Sequence, residues 1–130
     1  MKPRRLPRPT EAELEILSVL WERGPSTVRE VFAALPAERR TGYTSVLKFM
    51  QIMAGKGLVT RQEDQRAHVY QARVTREQTQ RQLIAHLADR AFGGSALQLA
   101  QQALASAGRA TPEDLAEIRK MLDDYERSRS

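Results

Sequence analysis

Between Tyr43 and Val74 the hydrophobic period changes from helical to strand-like, and two glycines mark the change. Val46, Leu47, Met50 and Met53 recur at 3–4 residue spacing, which predicts a helix over Tyr43–Ala54 with Thr44, Ser45, Lys48 and Gln51 facing outward. Gly55 and Gly57 supply a C-terminal stop. Leu58–Glu63 and His68–Val74 then alternate, contain Val, Thr and Tyr, and flank the polar turn Asp64-Gln65-Arg66-Ala67, a β-hairpin pattern. A helix running straight into a hairpin can bury its apolar stripe only against whatever precedes it.

Two shorter helices precede it. Thr10-Glu11-Ala12-Glu13 has the form of a capping box, and Leu14, Leu17, Val19, Leu20 and Trp21 follow, so a helix is expected from Glu11 to Arg23. Gly24-Pro25 ends it. Thr27 and Glu30 form a second box opening a helix with Val28, Val31, Phe32 and Leu35, which Pro36 stops. Ser26 is placed to add a bridge to a small sheet. Trp21, Met50 and Met53 are read as core by position. Three helices and a hairpin make a winged helix-turn-helix over residues 10–74.

From Thr75 the pattern is helical throughout. One helix runs from Thr75 to about Phe92, broken by Gly93-Gly94; a second spans Ser95–Ala107; a third opens at Thr111-Pro112-Glu113-Asp114, with a hydroxyl cap, proline and acids in the first turn. The apolar faces, Leu83, Ile84 and Leu87 on the first and Leu115, Ile118 and Leu122 on the last, are too narrow for a core of their own. A second copy would cover them, so residues 75–127 are read as a dimerisation region of a homodimer. The fold class is therefore mainly α with a small β-hairpin: an N-terminal winged helix-turn-helix followed by C-terminal dimerisation helices.

Charge separates the two parts. Residues 1–74 hold 13 Lys and Arg against 8 Asp and Glu, whereas residues 75–130 hold 8 of each, so the whole net charge of +5 lies in the first part. From Arg39 to Gln62 there is no acid, but there are Arg39, Arg40, Lys48, Lys56 and Arg61. A polyanion would meet this half, and a helix followed by a basic-tipped hairpin has the shape for duplex DNA. Met1–Pro9, with Lys2, Arg4, Arg5 and Arg8, reads as a disordered basic arm rather than a signal peptide. The absence of cysteine excludes disulfides and thiolate metal sites and suits a cytoplasmic protein. No metal, cofactor or membrane insertion is expected. No phosphate-cradling loop or catalytic constellation can be assembled, so an enzyme is not the expected class. The rival is a winged helix used for protein contacts without specific DNA binding; the acid-free basic stretch argues against it.

Gly42-Tyr43-Thr44-Ser45-Val46-Leu47-Lys48, Lys56-Gly57-Leu58-Val59 and Gln65-Arg66-Ala67-His68-Val69-Tyr70 resemble the penicillinase-repressor (BlaI/MecI) family of bacterial transcriptional regulators. Thr10–Glu15, Leu20-Trp21 with Gly24-Pro25, Thr27–Glu30 and Phe92–Ser95 match in order and spacing. The resemblance implies a homodimer that occludes a palindromic double-stranded operator through its winged helices. It also implies, for the best-known members, a membrane sensor and release by proteolysis at an Asn-Phe bond. Ala103-Leu104 aligns there and neither residue matches. Many members have Thr where this chain has Lys48, and Arg where it has Ile52, so operator preference is expected to differ.

On this reading Thr44, Ser45 and Lys48 contact bases, being near the start of the recognition helix and on one face. Arg39, Arg40, Tyr43, Lys56, Arg66 and His68 are candidates for phosphate, contacts that fix register without reading sequence. N-capping is the competing explanation for Thr44 and Ser45, and packing for Tyr43.

Overall fold

The computed structural model describes residues 7–38, 42–63 and 67–129. The part of the expected basic arm before Pro7, the Arg39–Arg40 pair and the hairpin tip with Arg66 lie outside them. Two compact units divide the chain, residues 1–84 and 85–130.

In the first unit, α1 (Glu11–Arg23), α2 (Val28–Ala34) and α3 (Tyr43–Lys56) are followed by β2 (Val59–Glu63) and β3 (His68–Ala72). A two-residue strand, β1 (Ser26–Thr27), joins the hairpin, giving an antiparallel sheet in the order β1-β3-β2. Ser26 pairs with Tyr70 and Thr27 with Val69 on one side of β3, while Val59, Arg61 and Glu63 pair with Ala72, Tyr70 and His68 on the other.

Local chemistry sets the helix ends. The Thr10 hydroxyl accepts from the Glu13 amide, and the Glu13 carboxylate accepts from the Thr10 amide. Thr27 and Glu30 repeat the arrangement at α2, and the Glu30 pKa is lowered chiefly by the Thr27 amide that its carboxylate accepts from. Gly24 at φ 84° turns the chain out of α1. α3 runs to Lys56, two residues beyond the expected end at Ala54, because Gly55 continues the helix and only Gly57, left-handed at φ 86°, stops it. The strands are shorter than expected: β2 begins at Val59 because the Leu58 amide is used in closing α3, and β3 ends at Ala72.

The core is aliphatic. Ile16, Leu17 and Leu20 of α1, Val28 and Val31 of α2, and Val46, Met50 and Met53 of α3 meet Leu58, Val59, Tyr70 and Val74. Leu47, expected inward, is half-buried at its edge. Trp21 is half-buried against the same cluster; its indole Nε1 donates to the Val74 carbonyl at 3.0 Å, and the Arg76 guanidinium lies 5.7 Å from its ring centroid. This tie, with buried Val74 and Thr79, brings the start of α4 (Arg76–Ala91) into the first unit.

In the second unit, the end of α4 turns at Gly93 and Gly94, both with positive φ, and the Gly94 amide donates to the Ala88 carbonyl. Ser95 caps α5 (Ala96–Ala107) by accepting from the Gln98 amide, and Thr111 and Asp114 cap α6 (Pro112–Arg129) reciprocally. No described residue of α6 is buried.

One ion pair closes the first unit. Lys56 Nζ donates to both oxygens of Glu13, at 2.9 and 3.0 Å, and the Glu13 side chain is only 3% exposed. Burial pushes the Glu13 pKa up, but the Thr10 amide and the Lys56 ammonium outweigh it and hold the carboxyl below its usual value. Lys56→Met would strand that carboxylate, and a loss of about 2–3 kcal/mol is expected in urea unfolding at neutral pH. Glu13→Gln, which keeps an acceptor for the Thr10 amide and leaves an ammonium able to reach water, should lose only about 1 kcal/mol. The wild-type contribution is fully present above the unfolded-state pKa of about 4.3 and is lost as pH falls through the lower folded-state value. Acid should therefore destabilise the wild type more steeply than Glu13→Gln.

Candidate nucleic-acid interface

α3 divides into two faces with different duties. Val46, Met50 and Met53 point into the core, while Thr44, Lys48, Gln51 and Ile52 are exposed and Ser45 is half-buried. The stripe Thr44–Lys48–Gln51 follows i, i+4, i+7 spacing and so shares one side of the helix.

Gly42 occupies the N-cap, at φ −63° and ψ 159°, with no side-chain capping bond. Thr44 and Ser45 thus fall inside the first turn, not at the cap, and neither hydroxyl has a hydrogen-bond partner among the described residues. The first turn also contains no acid. Its partial positive charge is therefore not offset from within the helix, whereas α1, α2, α4 and α6 each place an acid there.

Tyr43 opens α3 and is 39% exposed. Its ring stands edge-on to Phe32, with centroids 5.7 Å apart, and the Arg29 guanidinium lies 5.6 Å from its centroid. Packing thus accounts for the ring, while its hydroxyl has no hydrogen-bond partner among the described residues. Thr27, Arg29, Tyr43, Leu47, Ala67 and His68 border one open cleft between α2, the head of α3 and the hairpin. The cleft brings together Tyr43 and His68, two of the residues predicted for phosphate. It also adds Arg29, which the sequence reading missed. The signal was present: the Thr27 capping box fixes the start of α2, which places Arg29 three residues before Phe32 and beside the head of α3.

Lys56, expected against phosphate, is bound by the buried Glu13 carboxylate at the opposite end of α3 from Thr44, and its side chain is 37% exposed. Arg39, Arg40 and Arg66 lie outside the described residues. Of the residues expected to dimerise, Ile84, Leu87, Leu115 and Leu122 are exposed and Leu83 and Ile118 are half-buried. No group of three or more His, Cys, Asp or Glu able to hold a metal occurs among the described residues, and no helix there is long and apolar enough to cross a membrane.

Known proteins match this chain on sequence and on fold. The family model described as penicillinase repressor matches residues 9–124. Two strains of Mycobacterium tuberculosis each have a transcriptional regulator BlaI that is 42% identical over 67 residues, covering 51% of this chain. The chain spans about half the length of these curated relatives, 49%. The solution structure of the DNA-binding domain of the repressor BlaI superposes with a TM-score of 0.51 at 20% identity, covering 58% of this chain and 93% of that one. The Bacillus licheniformis BlaI monomer, solved in complex with the blaP half-operator, superposes at 0.50 and 20% identity, covering 57% and 90%. Both likenesses show the shared winged-helix fold.

The two faces of α3 should separate in mutagenesis. Thr44→Ala, Ser45→Ala and Lys48→Ala are expected to shift unfolding free energy by no more than about 0.5 kcal/mol, whereas Met50→Ala should cost about 2–4 kcal/mol. Denaturant melts of the four variants measure the contrast.

Proposed function

This chain belongs to the penicillinase repressor family, and from that premise we propose that it is a DNA-binding repressor of transcription. The observation that carries the reading is the outer face of α3. Thr44, Ser45 and Lys48 have no work in the fold, sit beside a first turn without acid, and lie in a 39–62 segment that has no acid at all.

Two protomers pair through the exposed apolar faces of α4 and α6 and hold two winged helices about one DNA turn, roughly 34 Å, apart on a palindromic operator. Ile84, Leu87, Leu115 and Leu122 support this, being too exposed to serve as core in a single chain. Each α3 enters a major groove with Thr44, Ser45 and Lys48 toward base edges. Arg29, Tyr43 and His68, around their cleft, hold the phosphates beside the groove, and Arg39, Arg40 and Arg66 add charge there. Occupancy of the operator excludes the transcription machinery. The site of action is the cytoplasm, where a bacterial chromosome lies. The Bacillus licheniformis relative is complexed with a half-operator, the same class of ligand. Release by cleavage at the family's bond is no part of the reading: the aligned pair, Ala103-Leu104, lies within α5 and matches neither residue.

Neutralising about six phosphates per dimer should make log affinity fall against log salt with a slope of about −5. A gel shift across a salt series checks this, and a flat response would favour a protein-contact module instead. A chain ending at Ile84, which keeps the first compact unit, should be monomeric by light scattering and bind the operator about 100-fold more weakly or worse, having lost the effective concentration of linked half-sites. Undiminished affinity would rule out pairing through the second unit.

A further inference from the structure

We infer that Ile52 determines operator specificity by contacting the 5-methyl group of a thymine, an inference that rests on the DNA reading above. Ile52 is 42% exposed, and with Tyr43 it makes up the exposed large apolar side chains described between Pro7 and Val74. Tyr43 packs on Phe32, which accounts for it. Ile52 is instead surrounded along the helix by exposed Lys48, Gln51 and Gly55.

Scattered surface isoleucines need no explanation, but this one occupies the stripe that begins with Ser45 and Lys48, at i+7 and i+4. Gly55, three residues further on, strengthens the case. A Cβ built at Gly55 meets nothing within 4 Å, so the protein's own packing does not require a glycine there. The side of the helix next to Ile52 is thus open, and a base edge can approach it.

Chemistry then narrows the partner. Base edges in the major groove present donors, acceptors and a single kind of apolar group, the thymine methyl. A branched aliphatic side chain on the groove face has only that group to bury against. Lys48, one helical turn earlier, is suited to guanine O6 and N7. Side chains three or four residues apart on a groove-bound helix reach neighbouring bases. The half-site then carries a guanine read by Lys48 and, close beside it, a thymine read by Ile52.

The test begins by selecting high-affinity duplexes from a random-sequence pool with the full chain. Each thymine of the selected duplex is then replaced by deoxyuridine, which removes only the methyl, and binding of wild type, Ile52→Ala and Ile52→Val is measured by fluorescence anisotropy. One thymine per half-site should weaken wild-type binding about fourfold when demethylated, or about fifteenfold when both half-sites are changed, as expected for one methyl returned to water. Ile52→Ala should bind the thymine and uracil duplexes equally, and Ile52→Val should keep part of the difference. A wild type indifferent to every methyl, or an Ile52→Ala that retains the full penalty, would overturn the assignment to Ile52 while leaving sequence-specific DNA binding intact. Failure to enrich any sequence from the pool would instead overturn the DNA reading, and this inference with it.

Discussion

The Glu13 carboxylate joins the start of α1 to the end of α3. It accepts from the Thr10 amide and so finishes the first turn of α1, and the same two oxygens take the Lys56 ammonium from the last turn of α3. One buried group thereby caps the first helix and anchors the last turn of the third. The direction of α3 decides everything outside: with Val46, Met50 and Met53 held in the core, Thr44, Lys48 and Ile52 must emerge together on the far side. A buried ion pair contributes little net stability against a well-packed apolar substitute, so its value here is better sought in orientation than in strength.

Much of the winged helix was legible because its determinants are local. The capping boxes at Thr10 and Thr27 and the stop at Gly24 act over three or four residues, and α1 has the expected bounds. β1 was foreseen only as a bridge at Ser26, since a two-residue strand has no period of its own. The pairing of Lys56 with Glu13 was missed for the opposite reason: the two lie 43 residues apart, and nothing in the neighbourhood of Lys56 announces an acid. Arg29 was missed because a cation on a short helix looks like ordinary surface until Tyr43 is placed beneath it.

The same distinction runs through the second unit. The hydroxyl cap at Thr111 is local and was readable, whereas Ser95, read as the first residue of its helix, is its cap. Leu97, Met121, Leu122 and Tyr125 are each more than half exposed, far from the state of Met50 or Met53 in the first unit. The two halves of the molecule differ in that respect as clearly as they differ in charge.

The three-stranded sheet has one further consequence. β3 is hydrogen-bonded on both sides, which leaves the outer edge of β2 unpaired among the described strands. An open edge is a template for a neighbouring molecule's strand, and such growth has no natural end. β2 answers with Arg61, Gln62 and Glu63, all exposed, and with a length of only five residues. A short edge carrying both signs of charge thus disfavours ribbon-like polymerisation along the sheet.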